Sequence, residues 1–327
     1  MSFYSLILFI GGLILIILGA ELLLRGASSI AAMLGVKPII IGLTVVSVGT
    51  SMPELAVGIT AVAEGQSSLM VGNIAGTNIL NILFILGLSA AIRPLPLQLM
   101  SIRLDVPIMI ASALTLILIS LNGTISRLEG GILVLAFIVY TIVLVRMSKN
   151  ESAEIKEEYA EEFDAKVLVK KITPGAWIVN SLLLITGIAL TILGADLLVD
   201  GAASIAQSMG VSEAVIGLTI VAIGTSAPEL ATTIVATIKN DRDVAVGNLI
   251  GSSISNILFI LGLTCAVAPN EVNVGEDILW IDLPLAAGVA IACYPVFRSD
   301  RMVSRREGTT FVVLYLIYLS SLLWLRA

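Results

Sequence analysis

Two six-residue segments of this chain carry the same reactive groups in the same order. Gly49-Thr50-Ser51-Met52-Pro53-Glu54 is matched by Gly224-Thr225-Ser226-Ala227-Pro228-Glu229, and both lie inside long apolar stretches. Proline has no backbone N–H and crowds the carbonyl four residues before it, so Pro53 and Pro228 should release carbonyls near Gly49 and Gly224. Glycine one turn before the proline lets the chain kink at little steric cost. Each break therefore offers carbonyl oxygens, two hydroxyls and a carboxylate within one helical turn. An all-oxygen set suits a hard cation, Ca²⁺ or Na⁺, rather than zinc or copper. Insertion scales place the cost of an acidic residue at the bilayer centre at about 2.5–3.5 kcal/mol, yet Glu54 and Glu229 are kept at equivalent places. A plain proline kink would need its Glu protonated or paired with a base. No Lys or Arg falls within the core of any apolar span, so that pairing fails.

A second polar pattern follows each break. Asn73, Thr77 and Asn81 recur every four residues and line one helical face, as do Asn248, Ser252 and Asn256. Gly72 and Gly76 form a small-xxx-small pair beside the first stripe, which lets a neighbouring helix approach closely. Such stripes alone are more often packing than chemistry. Beside a carboxylate, this one reads as the other half of a cation cage.

The elements that must position these groups are membrane spans. Of the 327 residues, 57% are hydrophobic and 13% charged, and the mean hydropathy is +1.05, so the bilayer is the main solvent. A span needs about 20 mostly apolar residues. By that measure the spans are 3–24, 38–64, 67–92, 103–121, 129–146, 175–198, 211–238, 243–268, 278–297 and 309–325. The first has no basic leader region, is long enough to span and is followed by further spans, so it reads as a helix rather than a signal peptide. With ten spans, 16 of the 18 Lys and Arg fall on one side, leaving Arg127 and Arg326 on the other. The positive-inside rule then places the acidic 147–173 linker in the cytoplasm and both termini outside, in a cell membrane. That linker reads as a solvated connection. The chain has no histidine, and Cys265 and Cys293 sit in apolar stretches without disulfide or zinc spacing. Both facts count against a hydrolase or a transition-metal enzyme.

Residues 19–88 align without a gap onto 194–263 at a constant offset of 175, with 38 identities in 70 positions. A fainter echo, Asp105-Val106-Pro107 against Asp282-Leu283-Pro284, follows at an offset of 177 and reads as a pair of helix-start caps. Five spans per half is an odd number, so the halves enter the membrane in opposite senses. The expected fold is all-α and transmembrane: ten helices as two inverted five-helix repeats, 1–146 and 174–327, with helices 2 and 7 broken at the midplane. Inverted repeats of this kind are a recurring plan of secondary transporters, with the site between the halves.

The paired GTSxPE segments, each followed by a GNxxGxxxxxN segment, resemble those of the sodium/calcium exchanger family, in its prokaryotic branch. The resemblance covers both repeats and implies an antiporter that extrudes Ca²⁺ using inward Na⁺ flow, with more Na⁺ moved than Ca²⁺. It implies that Glu54 and Glu229 are the carboxylates shared by the two ions. Thr50, Ser51, Thr225 and Ser226 would give hydroxyl or backbone oxygens to Na⁺. Thr77, Asn81, Ser252 and Asn256 would complete the cage, together with the carbonyls of Ser47 and Ala222. Potassium-dependent relatives carry an acid where this chain has Asn256; with Asn at 81 and 256, two formal charges remain and potassium dependence is not expected. The expected partners are Ca²⁺, Na⁺ and the lipid bilayer, with no nucleic acid, no resident cofactor and a monomer as the working unit. Alternating access would move spans 1 and 6 against the rest, and Glu21 near the end of span 1 is expected to pair with Arg25 one turn on. Three rivals stand beside this reading. Coupling to H⁺ is possible on the same fold, although the Thr-Ser pairs supply neutral oxygens that a proton does not need. A cation channel would call for a wide pore or identical subunits around an axis. An intramembrane enzyme lacks any nucleophile paired with a base.

Overall fold

The computed structural model describes residues 3–149, 174–209 and 222–326. Most of the expected 147–173 linker and the first part of the seventh expected span lie outside the described residues. In chain order the helices are α1 (Phe3–Leu34), α2 (Pro38–Thr50), α3 (Met52–Ala63), α4 (Ser67–Ile92), α5 (Ser101–Ser120), α6 (Arg127–Lys149), α7 (Pro174–Ser208), α8 (Ala222–Thr225), α9 (Ala227–Ile238), α10 (Arg242–Val267), α11 (Ile278–Asp300) and α12 (Arg305–Arg326). Among the described residues seven helices are long and apolar enough to cross a bilayer on their own, and α2 with α3 passes the same test together as a pair bent by 41°. Helix occurs in all ten expected segments. The chain is a multi-pass membrane protein.

Helices α1 and α7 run about ten residues past the expected ends at 24 and 198. Charge at Glu21 and Arg25 ends the apolar stretch but not the helix, because Ala27-Ser28-Ser29-Ile30-Ala31-Ala32 has no helix breaker. The stop is Gly35 at φ +64°, where Gly35 N–H donates to the Ala32 carbonyl and Val36 N–H to that of Ala31. That is the Schellman closure, which needs a left-handed residue.

In lipid, helices gain little from burying apolar surface against each other, so close contact must supply the association. Gly12, Gly19 and Gly26 repeat every seven residues on α1, and Gly187, Gly194 and Gly201 do so on α7. The two helices run antiparallel along these stripes. A Cβ built on Gly19 would lie 2.7 Å from the Thr191 nitrogen, and one on Gly187 would lie 2.7 Å from the Leu23 Cα. The backbones therefore touch directly, and α1 and α7 form one unit.

The centre belongs to α4 and α10, with 78% of each apolar window buried, against 28% for α1 and α7. These two carry the polar stripes. Around them the halves interlock. Gly130 of α6 packs on Gly262 of α10, and Gly308 of α12 packs on Gly87 of α4. The ring pair Phe137–Phe259 at 5.3 Å has its counterpart in Phe84–Tyr315 at 5.2 Å. Two short antiparallel ribbons tie loops across the halves: β1 (Leu95–Pro96) with β4 (Met302–Val303), and β2 (Thr124–Ile125) with β3 (Val272–Asn273). Helices α6 and α12 begin with the same capping box, Ser126–Glu129 and Ser304–Glu307, in which Glu accepts from the Ser N–H at 2.7 and 2.8 Å. The repeat thus extends to the fifth helix of each half, at an offset of 178, beyond the echo at Asp105.

Candidate functional site

The breaks fall where the prolines require. Ser51 (φ −85°, ψ +11°) separates α2 from α3, and Ser226 (φ −91°, ψ +9°) separates α8 from α9. In each case Pro follows at the second helical position, where its missing N–H costs nothing. Glu54 and Glu229 then occupy the first turns of α3 and α9, the end of a helix that favours negative charge.

The two breaks are joined crosswise. Ser51 Oγ donates to Glu229 Oε1 at 2.9 Å, and its repeat equivalent Ser226 Oγ donates to Glu54 Oε1 at 3.4 Å. Each carboxylate is held by the other half of the chain, and both are fully buried. The second oxygen of each, Oε2, has no hydrogen-bond partner among the described residues. Thr50 is also fully buried; its hydroxyl lies 3.1 Å from the Val46 carbonyl, 3.3 Å from that of Ser47 and 3.2 Å from Asn248 Oδ1. The Ser47 carbonyl accepts from Ser51 N–H at 3.1 Å as well, so any cation there would share it. Ala222 opens α8. Thr225 is half-buried and lines a cavity of about 630 Å³ together with Met52, Pro53, Asp196, Val199 and Asp200.

Helix α9 packs on the Leu80–Leu86 turn of α4, and α3 packs on the Asn256–Leu261 turn of α10. Both turns are π-helical, a widening often found at functional sites, and they place Asn81 and Asn256 beside the carboxylate helix of the opposite half. Thr77, Asn81, Ser252 and Asn256 are all buried. Among the described residues, both amide atoms of Asn81, the Ser252 hydroxyl and the Asn256 Oδ1 have no hydrogen-bond partner. A buried polar atom left unpaired costs about 1–3 kcal/mol. The cluster of such oxygens next to two half-satisfied carboxylates fits a dehydrated cation. Among the described residues no group of three or more Asp, Glu, His or Cys could hold a metal; the fully buried acids at the breaks are Glu54 and Glu229.

Three contributors, Asn78, Thr232 and Thr233, were not among the expected ligands, and Asn248 was expected only as a member of the polar stripe. Asn78 lies off the 73/77/81 stripe, yet it donates to the Ser253 carbonyl at 3.1 Å and accepts from Asn256 Nδ2 at 3.1 Å, which aims Asn256 Oδ1 away from that bond. Asn248 bridges Thr50 and the Thr233 hydroxyl, the latter at 3.2 Å. Thr232, one turn beyond Glu229, is fully buried with an unpartnered hydroxyl. Thr232 and Thr233 face Val57 and Gly58 in the repeat alignment, so the signal available was a departure from symmetry next to the carboxylate.

Comparisons with known proteins converge on one family. The sequence pattern described as sodium/calcium exchanger protein matches residues 4–146 and 179–324. The chain is 34% identical over 310 residues to a putative antiporter, CaxA, of Alkalimonas amylolytica, covering 94% of this chain and 95% of that protein. It is 29% identical to the sodium/calcium exchanger MaX1 of Methanosarcina acetivorans, covering 96% and 97%. Among solved structures it superposes with a TM-score of 0.82 and 30% identity on the sodium-calcium exchanger NCX_Mj soaked with 2.5 mM Na⁺ and 0.1 mM Ca²⁺, covering 98% of this chain and 99% of that one. The crosswise pair of carboxylates thus sits in a scaffold matched over nearly its whole length, and the chain belongs to the sodium/calcium exchanger family.

Proposed function

We propose that the protein exchanges Na⁺ for Ca²⁺ across the cell membrane by alternating access, normally extruding Ca²⁺. The observation that carries this is the reciprocal Ser51–Glu229 and Ser226–Glu54 pairing, which leaves one free oxygen on each buried carboxylate. Two carboxylates neutralise one Ca²⁺, and the surrounding hydroxyl and amide oxygens are neutral ligands of the kind Ca²⁺ and Na⁺ take. The names of MaX1 and NCX_Mj support the same pair of ions. In this reading Glu54 and Glu229 hold both ions. Thr50, Ser51, Thr225, Ser226, Thr77, Asn81, Ser252, Asn256 and the carbonyls of Ser47 and Ala222 supply the remaining oxygens. The 16-to-2 division of basic residues puts the Lys239 end of the molecule in the cytoplasm and both termini outside. The unit formed by α1 and α7 slides against α4 and α10 to change the side from which the site is reached. The monomer is the working unit.

The test is radiolabelled Ca²⁺ uptake into proteoliposomes under an outward Na⁺ gradient or an outward H⁺ gradient. Uptake driven by Na⁺ alone is the expected result. Uptake driven only by H⁺ overturns the coupling ion, and no gradient-dependent uptake overturns the substrate.

A further inference from the structure

The two ends of the site differ in chemistry. At one end α1 is fastened to the corner between α9 and α10. Glu21 accepts from Arg25 on its own helix and from Lys239 Nζ at 2.8 Å, and one turn further Ser28 Oγ donates to Asp241 Oδ2 at 2.7 Å. Between these polar ties Leu24 is buried against Ala236, Val244 and Ala245. The corner itself turns on Asn240 at φ +66°, whose repeat equivalent Gly65 stands at φ +75°. The corner is therefore left-handed at the equivalent position in both halves.

The side chains are not. At an offset of 175, Arg25 becomes Asp200, Lys239 becomes Glu64, Ser28 becomes Ala203 and Glu21 becomes Asp196. Both cations of the first cluster are replaced by acids, and the hydroxyl is lost. Asp196 and Asp200 are exposed and four apart on one helix, a spacing at which like charges repel. Val199, the equivalent of Leu24, lines the open cavity with them instead of being sealed under a corner.

We propose that the Glu21–Lys239 pair is a latch that holds the Lys239 end closed, and that its replacement by acids at the equivalent positions sets the resting conformation open at the Asp196/Asp200 end. This rests on the alternating-access reading above. Both latch partners are partly exposed, with side chains 31% and 42% accessible. Such a pair biases an equilibrium by only about two- to fivefold, which suits a closure that must release in every cycle. A deeply buried pair there would trap one state.

The experiment reads sidedness rather than transport. Leu24→Cys and Val199→Cys are made separately; the native Cys265 and Cys293 are buried. Labelling by a membrane-impermeant maleimide is timed from each face of sealed vesicles. With Lys239 intact, position 199 labels and position 24 does not. Lys239→Glu is expected to raise the labelling rate at 24 by roughly twofold or more and to lower it at 199, while Lys239→Arg, which keeps the cation, retains the starting pattern. Unchanged labelling at 24 in Lys239→Glu, or an equal shift in Lys239→Arg, overturns the latch. If Na⁺-driven uptake is absent while labelling shifts as stated, the latch stands and the assigned substrate falls.

Discussion

Replacing either carboxylate by its amide isolates the charge argument. Glu229→Gln keeps the side-chain shape and an oxygen that can still accept from Ser51 Oγ, now 2.9 Å from Glu229 Oε1. Glu54→Gln likewise keeps an acceptor for Ser226. What changes is one unit of negative charge in a site whose members are fully buried. With both carboxylates a bound Ca²⁺ is neutralised; with one, a net positive charge remains in a medium that solvates it poorly. Leaving one buried charge without its partner costs about 3–5 kcal/mol. At 1.4 kcal/mol per factor of ten, this is a loss in Ca²⁺ affinity of roughly a hundred- to several-thousand-fold. Because the two environments are related by the repeat, the single variants should fall within about tenfold of each other. The assay is Ca²⁺ binding by calorimetry on purified protein, with thermal unfolding as the check that each variant is folded. A folded Glu54→Gln or Glu229→Gln protein that binds Ca²⁺ within tenfold of the unaltered chain refutes the neutralisation argument.

Two further outcomes follow from the packing. Gly19→Val puts side-chain atoms where a Cβ alone meets the Thr191 backbone at 2.7 Å; overpacking of this kind costs about 1–3 kcal/mol, so the thermal midpoint in detergent should drop, while Gly131→Ala, with nothing within 4 Å of the added carbon, should not lower it. Asn78→Ala leaves the Ser253 carbonyl and Asn256 Nδ2 without their partner, at about 1–3 kcal/mol for each orphaned group; both stability and Ca²⁺ affinity should fall, and unchanged affinity would remove Asn256 from the cage.

Much of this was legible because membranes restrict what a sequence can mean. An apolar run of the right length has few structural options, so the spans could be read directly, and Pro53 and Pro228 located the breaks to within two residues of Ser51 and Ser226. The ends of α1 and α7 were misplaced because hydropathy reports where lipid ends, and the helices continue past it to Gly35 and Ser208. The full repeat was available as Ser126-Arg127-Leu128-Glu129-Gly130 against Ser304-Arg305-Arg306-Glu307-Gly308, but small insertions move the offset from 175 to 178 and hide it from a fixed register. The heptad glycines of α1 and α7 were also in plain sight. Their meaning needed the partner helix, since a glycine stripe does not say what it touches. The π-helical turns at Asn81 and Asn256 fall on the run Asn-Ile-Leu-Phe-Ile-Leu-Gly-Leu that both halves share residue for residue, but nothing in its apolar pattern tells a π turn from an α turn.

On the proposed exchange of Na⁺ for Ca²⁺, the positions where the two halves stop matching are the ones to test for telling the ions apart. The crosswise serines treat Glu54 and Glu229 alike, but Thr232 stands one turn beyond Glu229 and Val57 one turn beyond Glu54. At that spacing a side chain shares the helix face of its neighbour. Thr232 is fully buried and its hydroxyl has no protein partner, so as a purely structural group it destabilises the fold by about 1–3 kcal/mol. As a ligand it adds one neutral oxygen to the Glu229 side alone, a position suited to a monovalent ion that needs no second carboxylate. Thr232→Val restores the symmetry with Val57 and separates the two roles by sign. If the hydroxyl is only an unsatisfied group, thermal stability rises and Na⁺ binding is unaltered. If it serves Na⁺, stability rises in the absence of ions while the Na⁺ concentration needed for exchange increases, with Ca²⁺ affinity changed much less. Equal weakening of both ions, or none of either, would show that the asymmetry beside Glu229 has no part in distinguishing them.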